Sequence, residues 1–141
     1  TTVKSKGKKW NQISATLMAQ DHAENAVLKV EPLKKGRVAV DMISLFPQAT
    51  FKGHLNGLRK DLAQTIADLH PKFMRFPGGC LSHGDGLDNI YEWKESIGPL
   101  QDRVPDRNIW NYHQTKGLGF YEFFQFCEDM GCEPLPVSCT S

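Results

Sequence analysis

Pro71-Lys72-Phe73-Met74-Arg75-Phe76-Pro77-Gly78-Gly79-Cys80 is the stretch on which the fold turns. Residues 72–76 read as a strand, so Phe73 and Arg75 share one face while Met74 and Phe76 share the other. Pro77-Gly78-Gly79 stops that strand abruptly, because proline offers no N–H to a ladder and glycine admits backbone angles closed to other residues. Met74 and Phe76 suit the layer between a sheet and its helices, which leaves Arg75 pointing inward at the carboxyl end of the strand. A buried guanidinium requires an acceptor, and a carboxylate beside it would be held ionised. A structural salt bridge meets the same requirement. Gly79, placed directly after such an arginine, lets a ligand approach the main chain closely, although a plain tight turn also explains a Gly-Gly pair.

Helical patterns flank this strand. Leu58, Leu62, Ile66 and Leu69 recur at three- and four-residue spacing, predicting a helix with Asn56 as its N-cap and Pro71 as its stop. Farther on, Phe120, Phe123, Phe124, Cys127 and Met130 form a second stripe closed by Gly131, with a strand expected around residues 134–139. The order is helix, strand, gap, helix, strand. Both helix-to-strand joints are short, whereas the strand-to-helix gap over 77–119 is roughly forty residues against a usual two to six. In a (β/α)₈ barrel the strand-to-helix loops form the active-site face and absorb insertions. A doubly wound sheet shows the same asymmetry, but no GxGxxG turn is present. In either fold, residues 77–119 belong to a functional face.

Ahead of residue 48 the pattern changes. Ile13, Ala15, Leu17 and Ala19 alternate with Ser14, Thr16 and Met18, and apolar runs follow at 27–30 and 38–45 around a Pro32-Leu-Lys-Lys-Gly36 turn. Three strands with short connections predict antiparallel β-structure, a meander or the edge of a sandwich. Neither half is complete, since a barrel takes roughly 250 residues and a sandwich about 100. The expectation is a window from a longer chain.

Charge and composition narrow the chemistry. With 17 basic and 16 acidic residues the formal net charge is +1, which argues against a nucleic-acid binder. Lys4, Lys6, Lys8 and Lys9 are the sole basic cluster and read as a solvated tail or strand edge. Nothing approaches the ~20 apolar residues of a membrane helix, and no membrane partner is expected. Cys80, Cys127, Cys132 and Cys139 have neither disulfide-framework nor zinc spacing and read as free thiols, Cys127 on the apolar stripe. No His/Asp/Glu grouping has metal-ligand spacing.

The gap itself contains His83, Asp85, Asp88, Asn89, Tyr91, Trp93, Trp110, Tyr112 and His113. Sugars present hydroxyl edges and apolar CH faces, so their pockets combine hydrogen-bonding groups with aromatic platforms. Loop packing accounts equally for any single aromatic residue. Glycoside hydrolysis needs two carboxylates, ~5 Å apart in retaining enzymes. Glu122, Glu128 and Asp129 fall off the helical stripe and are expected to be solvated, while Glu92, Glu95 and Asp102 show no sign of pairing. No catalytic pair can be chosen.

Five strings are similar, in order and spacing, to glycoside hydrolase family 51, the α-L-arabinofuranosidases: Asp41-Met-Ile-Ser-Leu-Phe-Pro47, Asn56-Gly-Leu-Arg-Lys-Asp-Leu62, residues 71–80 above, Trp93-Lys-Glu-Ser-Ile-Gly-Pro99 and Gly117-Leu-Gly-Phe-Tyr-Glu-Phe123. The chain resembles an N-terminal-side piece of the longer members known from Bacteroidetes and plants, from about residue 10 to Val137. The resemblance implies an α/β fold, part of a (β/α)₈ TIM barrel over residues 48–141. Residues 1–47 would end an all-β, carbohydrate-binding-like sandwich. It implies removal of terminal α-L-arabinofuranosyl residues from arabinan and arabinoxylan with retention, without metal or organic cofactor, by an exported parent enzyme that could be a homo-oligomer. Carried over by position, Arg75 supports the catalytic centre, Gly79 and Cys80 line the arabinose subsite, and Trp93 shapes the rim. The family's acid/base and nucleophile glutamates lie on later strands, so this chain by itself is expected to be inactive. Ser138-Cys-Thr-Ser141 departs from the family pattern. A non-catalytic sugar-binding or scaffold protein on the same fold is the alternative, as is a neighbouring glycosidase activity.

Overall fold

The computed structural model describes residues 1–5 and 7–139. Lys6 of the basic cluster, and Thr140 and Ser141 of the divergent tail, lie outside the described residues. The chain divides into two units, Thr1–Ala39 and Val40–Ser141. The described residues ahead of Thr50 contain no strand and all are exposed, so the three β-runs expected between residues 13 and 45 are unpaired among the described residues. Alternation dictates which way side chains would point, but a strand also needs a neighbour for its N–H and C=O groups. None of these runs has one among the described residues.

The second unit carries the regular structure. Helix α1 (Lys60–Ala67) leads into strand β1 (Phe73–Phe76), and helix α3 (Phe120–Met130) into strand β4 (Glu133–Pro136). Between them come a short helix α2 (Gly79–His83) and a two-residue hairpin, β2 (Asp106–Arg107) with β3 (His113–Gln114). Strands β1 and β4 are parallel neighbours, with Arg75 opposite Leu135. This strand–helix–strand arrangement matches the expected α/β order, though two parallel strands do not close a barrel. Glu133 and Val137 donate to the carbonyls of Lys72 and Phe76 at 2.9 and 2.7 Å. Positions 134 and 136, whose N–H groups would face the opposite edge, are prolines.

Local chemistry explains the helix ends better than the sequence pattern did. Asn56 is not an N-cap: its φ of 54° places it in a turn, and α1 begins only after Arg59. An N-cap needs extended backbone. Gly131 does close α3, at φ 69°, donating to the carbonyl of Glu128.

Which residues are buried differs from the predicted stripes. On α1 the buried residue is Ala63, at 2 % exposure, while Leu62, and Leu69 just past the helix, are exposed at 56 and 77 %. On α3, Phe126 is buried and Phe124 is 42 % exposed. Phe126 meets Phe51 edge-on, ring centroids 5.6 Å apart, and these two pack with Ala63, Leu58 and Ala67. Met74 and Phe76 face α3 as their parity requires, Phe76 stacking on Phe123 at 5.1 Å. A small alanine allows this close approach, and the larger leucines are left on the open side of α1.

All four cysteines are free, Cys127 and Cys132 buried and Cys80 and Cys139 exposed. Burial, with help from Cys132, pushes the Cys127 thiol up to about 12. An alkylating reagent at neutral pH is therefore expected to label Cys80 and Cys139 in the folded protein. Cys127 and Cys132 should react only after denaturation, as peptide mass mapping would show; early labelling of Cys127 would contradict this packing.

Candidate functional site

Strand β1 ends at Phe76, and a cis Phe76–Pro77 bond leads into the glycine pair. Gly78 sits at φ 116°, a conformation that residues with a Cβ rarely adopt. The Arg75 side chain folds over this turn. A Cβ built on Gly79 would lie 3.3 Å from Nη2 of Arg75, and one on Gly78 3.7 Å from Nη1. The glycines thus leave room for the guanidinium, and Cys80 follows at once, exposed, on α2.

Arg75 lies on the face of β1 opposite Met74 and Phe76, as its parity predicts. It is nonetheless exposed, and among the described residues it has no hydrogen bond or ion pair. The buried salt bridge considered from the sequence does not exist within the described chain. What the chain presents is an open cationic fork at the carboxyl end of a parallel strand.

Ser82 locks the base of this turn. It is 3 % exposed, and its hydroxyl donates to the carbonyl of Val137 just beyond β4 at 3.0 Å. The Cys139 thiol donates to the Ser82 carbonyl at 2.9 Å. The loop after β1 and the exit of β4 are thereby tied together at the ends of the two strands.

Trp93 belongs to a different neighbourhood from Arg75 and Gly79. It opens a 3-10 turn, Trp93–Ser96, is 39 % exposed and leans on Phe120 with ring centroids 6.0 Å apart. The other gap aromatics do not converge on one pocket: Tyr91 is buried against Phe76 and Phe120, whereas Trp110 and Tyr112 are 53 and 68 % exposed. Asp85 and Asn89 bond to each other within their own turn.

The gap is organised by charges that sequence reasoning passed over. Arg103, its side chain 3 % exposed, grips both carboxylate oxygens of Glu122 at 2.6 and 3.0 Å. It also donates to the carbonyls of Gly98, Lys116 and Gly117. Lys116, its side chain 1 % exposed, reaches Glu95 at 2.6 Å and Asp106 at 3.1 Å. Burial by itself would lower the Lys116 pKa, but the hydrogen bonds and charges of Glu95 and Asp106 outweigh it and raise the pKa above its ordinary value. Burial also raises the Tyr91 phenol, whose ring lies 5.6 Å from the Lys116 ammonium.

Two expectations about carboxylates are corrected here. Glu122 is not simply solvated: besides holding Arg103 it accepts the Gly119 N–H at 2.9 Å, capping the start of α3. Asp129 is 17 % exposed and pairs with His54 at 2.8 Å. The glutamate three residues after Gly119 was a legible capping signal. Arg103 and Lys116 had none, because their side-chain carboxylate partners lie 10 to 21 positions away in sequence and nothing local announces them. With Glu95 and Glu122 committed to cations, neither is free to act on a sugar.

Comparison with known proteins fits this geometry. The family model for the alpha-L-arabinofuranosidase 1 domain matches residues 65–140, more than half of the chain. An extracellular exo-alpha-L-arabinofuranosidase from Streptomyces chartreusis is 42 % identical over 91 % of the chain, and alpha-L-arabinofuranosidase 1 from Arabidopsis thaliana 42 % over 92 %. The chain spans only 17 and 19 % of those relatives' lengths. Among solved structures, an arabinose-bound GH51 α-L-arabinofuranosidase superposes with a TM-score of 0.59 at 44 % identity, covering 62 % of this chain and 14 % of its own. The α-L-arabinofuranosidase of Thermotoga maritima in its arabinose complex gives 0.50 at 28 % identity, covering 57 and 16 %. The chain belongs to the glycoside hydrolase family 51 α-L-arabinofuranosidases, through their arabinofuranosidase 1 domain.

Proposed function

We infer that this chain forms one wall of the arabinose pocket in a retaining, exo-acting α-L-arabinofuranosidase. The observation that carries the assignment is the unpartnered Arg75 fork lying over Gly78 and Gly79 at the carboxyl end of β1. That is the position where a (β/α)₈ barrel builds its active site. The fork can orient a carboxylate supplied by a later strand and hold it ionised. Gly79 and Cys80 line the subsite beside it, and Trp93 stands at the rim. Residues 48–141 contribute the first βα units of the barrel, and residues 1–47 the last strands of a β-sandwich whose partner strands lie elsewhere in the complete protein. The substrate is an arabinofuranosyl-bearing glycan, in keeping with the arabinose-bound relatives. No helix among the described residues is long and apolar enough to cross a membrane. An exported protein is in keeping with the extracellular Streptomyces relative.

The test compares the complete protein with residues 1–141 alone on p-nitrophenyl α-L-arabinofuranoside. The complete protein is expected to release p-nitrophenol and free arabinose, and the 141-residue chain to match a no-protein control. Sugar binding without turnover by the complete protein would instead mean a non-catalytic binder.

A further inference from the structure

We propose that Lys116 and Arg103 are positioning residues: a buried two-cation clamp that holds the Trp93 turn in place at the pocket rim. The proposal rests on the arabinofuranosidase assignment above, in which Trp93 borders the sugar. The turn is tied to the junction at three places. Its third residue, Glu95, is gripped by the Lys116 ammonium. Its last residue, Ser96, is fully buried; the hydroxyl donates to the Trp93 carbonyl at 2.7 Å and accepts the Phe120 N–H at 3.2 Å. Just past the turn, the Gly98 carbonyl takes two bonds from Arg103 at 2.9 and 3.1 Å. Arg103 simultaneously holds the Lys116 carbonyl at 2.7 Å and, through Glu122, the start of α3. The Trp93 turn, the β2–β3 hairpin and α3 thus share one charged junction.

Lys116 keeps a long side chain at a backbone position that disfavours one. Its φ is 55°, the left-handed region in which glycine is at ease and lysine is strained. Such strain persists only where the surroundings over-determine it. Glycine stands at the very next position, 117, so a turn alone would have been served by glycine here too. The ammonium is required by Glu95 and Asp106, which neutralise it out of contact with water. A salt bridge of this kind is a weak source of stability but fixes geometry.

The experiment uses the complete enzyme labelled with 5-fluorotryptophan, the Trp93 signal being identified by its loss in Trp93→Phe. Lys116→Gly removes the ammonium while easing the backbone. Glu95→Gln weakens the same contact from its solvent side, removing the charge but keeping an acceptor oxygen, and leaves Asp106 to neutralise Lys116, so it spares the fold. Arg103→Lys keeps the charge without the fork. In each variant the Trp93 fluorine resonance is expected to shift or broaden. KM for p-nitrophenyl arabinofuranoside should rise about tenfold for Lys116→Gly and Arg103→Lys, and less for Glu95→Gln, with kcat within about threefold. A lowered melting temperature with the Trp93 resonance and KM both unmoved would make the clamp merely structural and overturn the proposal. So would an unmoved KM in the face of a displaced Trp93. A complete protein with no arabinofuranosidase activity sinks the functional assignment instead, and the Trp93 resonance then judges the clamp alone.

Discussion

Arg75→Lys in the complete enzyme is expected to lower kcat by about 10², with the melting temperature unchanged. The loss follows from replacing a planar fork with a point charge. A guanidinium holds both oxygens of a carboxylate in a fixed plane, whereas a lysine keeps the charge and loses the orientation. For one preorganised electrostatic contact the expected penalty is about 3 kcal/mol of barrier. The melting temperature should hold because lysine keeps the positive charge and most of the aliphatic stem, and within this chain Arg75 makes no hydrogen bond or ion pair with any described residue. Steady-state kinetics beside a thermal melt separates the two effects. Near-normal turnover with an unchanged melt would show Arg75 to be peripheral to the chemistry.

Gly119→Ala is expected to be strongly destabilising, costing about 3 kcal/mol, the upper range for overpacking. Gly119 has ordinary extended backbone, φ −106° and ψ −167°, so conformation is no obstacle to alanine. Space is the obstacle. Its Cβ would fall 1.8 Å from the carbonyl oxygen of Ser96 and within 2.9 Å of that residue's carbonyl carbon and Cβ. Ser96 cannot retreat, since it is fully buried and bonded to both Trp93 and Phe120. Gly117→Ala is the control: its Cβ would meet only the Thr115 hydroxyl, at 3.3 Å, and that side chain can turn away. Denaturant midpoints of the two variants in the complete protein should differ clearly. Equal midpoints would mean that α3 and the Trp93 turn are not in the contact described.

Gly119 and Arg75 also mark how far local sequence reaches. The face of Arg75 followed from two-residue alternation, and the stop after Phe76 from proline and glycine chemistry. Both are properties of neighbouring residues, and both hold in the folded chain. Gly119 carried a cap signal in Glu122, yet the close approach of Ser96 that makes it indispensable comes from a segment 23 residues earlier.

By itself, the sequence determined the order of helix and strand, the parity of β1, the glycine closing α3 and the placement of the long insertion after β1. Each depends on periodicity or backbone freedom within a few residues. Tertiary structure alone decided that Ala63 and Phe126 are buried where Leu62 and Phe124 are not, because burial depends on what packs opposite. It also decided that Arg103 and Lys116 lie inside, since a buried cation is tolerable only beside carboxylates that folding brings to it. The runs between residues 13 and 45 show the same limit from the other side. Their alternation is a strand's, but a strand exists only where another backbone answers its hydrogen bonds, and none does so among the described residues.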